Sequence, residues 1–161
     1  MKYVKIFTAA MFAYYTVLSV ITYFSNQTIQ YDYPLTAANV LGYMGFQLFL
    51  SGPSEEILFR ALPISIIARF IPSKQDFQEA KFPITWATVI SAIFFALAHI
   101  KWTLNPFTAS FDSMQLLFSL FLGILYGIVY QKTKSVIYPM IMHSLTNVTV
   151  VGAGYVLSML K

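Results

Sequence analysis

The stretch SGPSEEILFR (residues 51–60) places two adjacent carboxylates and an arginine between two long apolar runs. Of the 161 residues, 58% are hydrophobic and only 10% are charged, whereas a soluble domain usually carries about 25% charged residues. The mean hydropathy is +0.67. This composition predicts an integral membrane protein. Since ionisable side chains at membrane depth are costly, the charged stretch is a candidate functional site.

The apolar runs predict an all-α, polytopic membrane helix bundle with about five spans. A spanning helix needs about 20 apolar residues. The predicted spans cover residues 6–24, 35–71, 83–100, 116–130 and 136–160. The second run is too long for one straight crossing and too short for two. We therefore expect a single crossing, bent at its two prolines and continuing into an interfacial helix; these prolines are Pro53 and Pro63.

Lysine and arginine residues are distributed unevenly between the ends of these runs. The side of the N-terminus has seven, namely Lys2, Lys5, Arg69, Lys74, Lys81, Lys132 and Lys134. The opposite side has only Lys101 and Lys161. Because cytoplasmic loops carry the excess of basic residues, the N-terminus is predicted to be cytoplasmic. We expect a multi-pass protein of the cell membrane.

The chain is predicted to be one integral-membrane domain over residues 1–161, with a motif-bearing core at about residues 35–160. Its net charge of +4 is scattered near the span ends, which favours contact with the lipid bilayer over binding of nucleic acid. The chain has no cysteine, which excludes disulfides and thiolate chemistry. Gly123 and Gly127 are expected only to permit close helix packing.

The two carboxylates of the opening stretch have different expected roles. Glu56 and Arg60 are four residues apart with the acid first, which favours an ion pair on a helix. Glu55 points about 100° away from Glu56 around the helix axis. A purely structural interpretation is a buried ion pair that fixes a helix bend, with Glu55 as a spare partner.

Both histidines of the chain lie in short helical patterns. Phe95 precedes His99 by one turn, and His143 precedes Asn147 by one turn. Each pattern alone has an ordinary explanation, because histidines are common at membrane interfaces and polar side chains often link helices by hydrogen bonds. Together with Glu55 they supply the groups needed for hydrolysis. Glu55 and His99 would hold and deprotonate a water, while His143 and Asn147 would donate hydrogen bonds to an oxyanion.

These residues resemble the motifs of the CAAX protease and bacteriocin-processing family, also called the Abi family of intramembrane glutamate proteases. The family motifs E-E-x-x-x-R, F-x-x-x-H and H-x-x-x-N correspond in order to residues 55–60, 95–99 and 143–147. The resemblance covers about residues 50–150. Ala61 stands where the family often has glycine after the arginine.

The resemblance implies an intramembrane endopeptidase that uses neither metal nor other cofactor and cleaves a membrane-associated peptide or protein substrate. Bacterial relatives are linked to bacteriocin immunity and peptide maturation, and the short chain is more similar to them than to the prenyl-processing type. The implied catalytic residues are Glu55, His99, His143 and Asn147, and the implied supporting residues are Glu56, Arg60 and Phe95.

Three alternatives remain open from the sequence. A zinc protease could use one carboxylate and two histidines as ligands, although the H-E-x-x-H motif is absent. A non-catalytic immunity protein could bind a bacteriocin or its receptor. A small transporter with a proton relay is the third, and five spans without an inverted repeat argue against it.

Placing His99 and His143 in one site also requires tilt or shifted span boundaries, because their estimated depths differ by about 12 Å at ~1.5 Å per residue.

Overall fold

The computed structural model describes residues 2–25, 29–71 and 84–160. The described chain is helical apart from loops and one small antiparallel sheet, which confirms the all-α prediction. In chain order the elements are α1 (Lys2–Phe24), α2 (Ala37–Phe46), a π-helical turn (Gln47–Ser51), α3 (Gly52–Glu56), a second π-helical turn (Ile57–Ala61), α4 (Leu62–Phe70), α5 (Trp86–Leu97), β1 (Lys101–Leu104), β2 (Phe107–Ser110), α6 (Ser113–Thr133) and α7 (Ile137–Met159).

Within the part of the chain that the structure describes, three helices are long and apolar enough to cross a membrane, namely α1, α6 and α7. They correspond to the first, fourth and fifth predicted spans, and the chain is an all-α membrane protein. Helix α5 is apolar but has only 12 residues, so it is shorter than the predicted span 83–100. Residue 83 of that span lies outside the described residues. The count of five crossings and the cytoplasmic N-terminus stay predictions. Three of the cations used for that orientation, Lys74, Lys81 and Lys161, also lie outside the described residues.

Residues 37–70 form a helical segment in which α-helix alternates with the two π-helical turns. Each π-helical turn ends two residues before a proline, at Ser51 before Pro53 and at Ala61 before Pro63. A proline has no N–H and its ring crowds the carbonyl four residues earlier. A wider π turn next to it relieves this conflict within a helix. The predicted bends at these prolines stay predictions, but the helix type changes beside each one.

Pro63 leaves one backbone carbonyl without its usual α-helical donor. Phe59 lies four residues earlier, and proline cannot give its carbonyl a hydrogen bond. The Phe59 carbonyl instead accepts hydrogen bonds from the Ser91 hydroxyl on α5 and from Arg60 Nη1, the latter at 3.0 Å. This carbonyl therefore connects the helical segment to α5.

Strands β1 and β2 form a hairpin around Asn105 and Pro106, with Lys101 opposite Ser110 and Leu104 opposite Phe107. This sheet was not predicted from the sequence. Each strand has four residues, all exposed. A period-two pattern over four residues is too short to stand out in a sequence rich in apolar residues.

The chain forms two compact units: unit 1 comprises residues 1–54 and 140–161, and unit 2 comprises residues 55–139. In unit 2, α5 packs closely on α6. A Cβ at Gly123 would lie 3.0 Å from Ala92 Cα, and a Cβ at Gly127 would lie 2.7 Å from Thr88 Cγ2. The prediction that these two glycines permit close helix packing is confirmed.

In unit 1, tyrosines attach the segment before α2 to α7. The hydroxyls of Tyr33 and Tyr155 lie 2.6 Å apart, within hydrogen-bond distance. The ring of Tyr31 also contacts Tyr155, with the centroids 5.1 Å apart. These aromatic contacts hold the connecting segment against the helix that carries His143 and Asn147.

Candidate active site

Helix α3 carries Glu55 and Glu56 in successive positions, and the two carboxylates have different environments. Glu56 is fully buried, whereas Glu55 is half-buried. Arg60 is also fully buried, and its Nε lies 3.2 Å from Glu56 Oε2. The predicted ion pair between Glu56 and Arg60 is confirmed.

The Arg60 guanidinium is surrounded by groups that compensate its burial. Its Cζ lies 4.4 Å from the centroid of the Phe95 ring and 5.7 Å from that of Tyr126. A buried charge is costly unless it is paired, and a cation over an aromatic face gains about 2 kcal/mol when it is desolvated. Arg60 thus holds Glu56 and the α5 residue Phe95 in one cluster.

Phe95 in turn positions His99. The two rings meet edge to face with centroids 4.9 Å apart, and His99 Nδ1 lies 2.9 Å from the Phe95 carbonyl oxygen. Because a carbonyl oxygen only accepts hydrogen bonds, Nδ1 is the nitrogen that carries the hydrogen. The neutral imidazole then presents Nε2 as an acceptor. His99 is half-buried, which suits a ring nitrogen that accepts a hydrogen bond from water.

His143 and Asn147 lie one turn apart on α7, in unit 1. His143 is only 5% exposed. The Asn147 amide nitrogen donates to Gln47 Oε1 at 2.9 Å and lies 3.4 Å from Ser51 Oγ. The side chain of Asn147 is therefore oriented by the first π-helical turn.

Gln47 and Ser51 were not identified from the sequence as site residues. Both are buried polar side chains, and their spacing of four places them on one helical face. Two polar residues at helical spacing within an apolar run were the available signal. Their partner Asn147 is about 100 positions away in the chain, so only the tertiary structure shows the contact.

Gly52 lies against the residue that follows His143. A Cβ at Gly52 would lie 2.9 Å from the backbone nitrogen of Ser144. The backbone of Gly52 is ordinary right-handed helix, with φ −54° and ψ −52°. Glycine is therefore needed here for the close approach of the helical segment to α7, and not for an unusual backbone conformation.

Replacing Gly52 by alanine is expected to destabilise the protein by about 1–3 kcal/mol, the usual cost of overpacking a tight contact. The measurement is thermal unfolding of the purified protein in detergent. Gly45→Ala is the matched control, since a Cβ at Gly45 meets nothing within 4 Å and alanine is the better helix former. Equal unfolding temperatures for the two variants would contradict the close approach at Ser144.

Each unit contains part of the predicted site. Unit 2 holds Glu55 and His99 together with the supporting residues, and unit 1 holds His143 and Asn147. The convergence of these four catalytic residues on one site stays a prediction. Within residues 2–25, 29–71 and 84–160, no group of three or more histidine, aspartate or glutamate side chains is placed to hold a metal ion.

Comparison with known protein families matches residues 37–149 to the family described as type II CAAX prenyl endopeptidase Rce1-like. The matched region contains both π-helical turns, α5, the hairpin, α6 and the part of α7 with His143 and Asn147. No curated protein and no solved structure matches the chain.

Proposed function

The chain belongs to the type II CAAX prenyl endopeptidase Rce1-like family, and from this premise we propose that it is a metal-independent glutamate endopeptidase of the cell membrane. Its substrate would be a membrane-associated peptide or protein. The observation that carries the proposal is that the carboxylates of Glu55 and Glu56 lie in different environments. Glu56 is fully buried in an ion pair with Arg60, whereas Glu55 is half-buried, and we assign water activation to the more accessible carboxylate of Glu55.

In the proposed reaction, Glu55 removes a proton from a water that also donates a hydrogen bond to His99 Nε2. The resulting hydroxide attacks the carbonyl carbon of the scissile peptide bond and forms a tetrahedral intermediate. Glu55 then gives the proton to the leaving amine as the C–N bond breaks, so that protons and electrons balance. The Nδ1–H contact of His99 with the Phe95 carbonyl supports this role, because it fixes the acceptor nitrogen.

The oxyanion of that intermediate would accept hydrogen bonds from His143 and Asn147. The Asn147 amide nitrogen also contacts Gln47 and Ser51, which orient its side chain. Gln47 and Ser51 are then positioning residues that act through Asn147.

An apolar cleft lined in part by Ala98 supports a substrate with a hydrocarbon portion. The cleft has a volume of about 580 Å³ and lies between the helical segment and α5 in unit 2. Phe59 and Pro63 line one side, and Phe94 and Ala98 line the other. Ala98 directly precedes His99 in the chain. A prenyl group or the apolar side chains of a membrane segment would fit such a lining.

The biological process that we propose is bacteriocin immunity or peptide maturation. The test compares protein N-termini in membranes isolated from cells with and without the chain, incubated in the presence or absence of a zinc chelator. New termini in membrane-associated proteins are expected in membranes that contain the chain, at equal yield with and without chelator. Mass spectrometry of labelled N-termini provides the measurement.

Two outcomes would contradict the proposal. Loss of the new termini in chelator, with recovery on adding zinc, would show a zinc protease. The second outcome is that membranes with and without the chain have the same protein N-termini, although the chain is inserted in the membrane. If a Glu55→Ala variant also still protects cells against a bacteriocin, the protein acts by binding.

A further inference from the structure

The hairpin of β1 and β2 has one apolar face and one polar face. Side chains alternate between the faces of a strand, and residues directly opposite each other share a face. The register therefore places one set on the first face, namely Trp102, Leu104, Phe107 and Ala109. The other face carries Lys101, Thr103, Thr108 and Ser110.

The apolar face of the hairpin is exposed. Leu104 is 84% exposed, Phe107 is 73% exposed and Trp102 is 55% exposed. The rings of Trp102 and Phe107 stack with centroids 5.7 Å apart. An exposed aromatic and aliphatic surface of this kind indicates a surface that contacts another apolar phase.

The position of the hairpin in the chain indicates which phase this is. Strand β2 ends at Ser110, and α6, which is long and apolar enough to cross a membrane, begins at Ser113. The Asp112 carboxylate caps α6 by accepting a hydrogen bond from the Gln115 N–H. The hairpin therefore directly precedes a helix that can span the membrane, and the end of such a helix is expected where the hydrocarbon region meets the headgroups.

Exposed apolar side chains also follow the hairpin in the chain, just before α6 and on α6 itself. Phe111, Met114, Leu117 and Phe121 are all exposed. The spacing of Met114, Leu117 and Phe121 places them on one face of α6. Exposed apolar side chains on both the spanning helix and the hairpin are expected where both contact the same lipid.

We propose that the hairpin is a membrane-interface anchor whose apolar face is embedded in the lipid at the boundary between acyl chains and headgroups. Trp102 is suited to this depth, because its ring is apolar and its N–H can bond to polar groups of the lipid. The opposite face, with Lys101 and the hydroxyls, would face water. This proposal does not depend on proteolytic activity.

The anchor would also fix the depth of His99. Strand β1 begins two residues after His99, so lipid contacts of Trp102 limit how far this histidine moves along the membrane normal. His99 would lie close to the membrane surface at the end of α5, where water is accessible.

Single cysteines report the two faces separately, because the chain contains no cysteine of its own. Leu104→Cys and Phe107→Cys probe the apolar face, and Thr103→Cys and Thr108→Cys are matched controls on the polar face. Each full-length variant is spin-labelled and reconstituted in phosphatidylcholine vesicles. Collision rates with oxygen, which concentrates in lipid, and with a water-soluble nickel chelate are then measured. The ratio of oxygen to nickel collisions is expected to be several-fold higher at 104 and 107 than at 103 and 108.

Equal ratios on the two faces would overturn the proposal. Labels at 104 and 107 that are shielded from both reagents would also overturn it, since a protein surface or a second copy would then cover the face.

The fluorescence of Trp102 tests the same proposal without a label. In a Trp86→Phe variant its emission should shift to shorter wavelength in vesicles and should be quenched by brominated lipid. Emission like that of tryptophan in water, with strong quenching by iodide, would contradict lipid contact.

Discussion

Replacing Glu55 by glutamine is expected to lower kcat by about 10²–10⁴-fold, the contribution of a positioned general base, and to leave the unfolding temperature unchanged. Glutamine keeps the shape of the side chain but cannot remove a proton from water. Glu55 is half-buried and the neighbouring Glu56 keeps its ion pair with Arg60, so the fold should tolerate the change. The measurement is cleavage of an identified substrate by purified protein in vesicles, beside thermal unfolding.

The control for this experiment is Asp32→Asn, which makes the same chemical change at an exposed carboxylate outside the helical segment. It should leave kcat unaltered. Wild-type cleavage by Glu55→Gln, together with loss of cleavage in a stably folded Glu56→Gln variant, would reverse the roles that we assign to the two glutamates.

Replacing Glu56 by glutamine is expected to destabilise the protein by about 3–5 kcal/mol, because it removes the carboxylate that forms the ion pair with the buried Arg60 guanidinium. Phe95 and the Phe59 carbonyl still contact Arg60, but neither carries a negative charge. The measurement is the free energy of unfolding in detergent. Glu55→Gln serves as the control, since it is the same substitution one residue earlier.

A double variant separates loss of the pair from a general loss of packing. Glu56→Gln combined with Arg60→Met removes both charges, and its destabilisation should be smaller than the sum of the two single effects. An additive result, or a Glu56→Gln variant as stable as the wild type, would show that the 3.2 Å contact contributes little.

Much of the helical framework could be predicted because it depends on local composition. The first, fourth and fifth predicted spans contain long apolar runs, and each corresponds to a helix in the structure. The predicted bounds of α1 were a few residues too short, since its helix extends to Lys2 beyond the apolar residues. The pairing of Glu56 with Arg60 was also predictable, because residues four apart on a helix are neighbours.

Features that depend on contacts between distant residues could not be read from the sequence. The contact of Asn147 with Gln47 joins residues far apart in the chain, so the local spacing of Gln47 and Ser51 does not by itself show which residue they contact. The hairpin was missed because its strands are short and because its apolar residues resemble the end of a span. The role of Gly52 also depends on a distant contact, since its missing side chain makes room for Ser144.

The proline at position 63 acts on hydrogen bonding one turn away from itself. Any other residue there would bring an N–H that competes with the Ser91 hydroxyl and with Arg60 Nη1 for the Phe59 oxygen. A carbonyl has two lone pairs, and these two donors already use them. Because Pro63 has no N–H, the Phe59 oxygen stays available to Arg60 Nη1. Pro63 has no reactive group of its own, yet it helps to fix the position of Arg60.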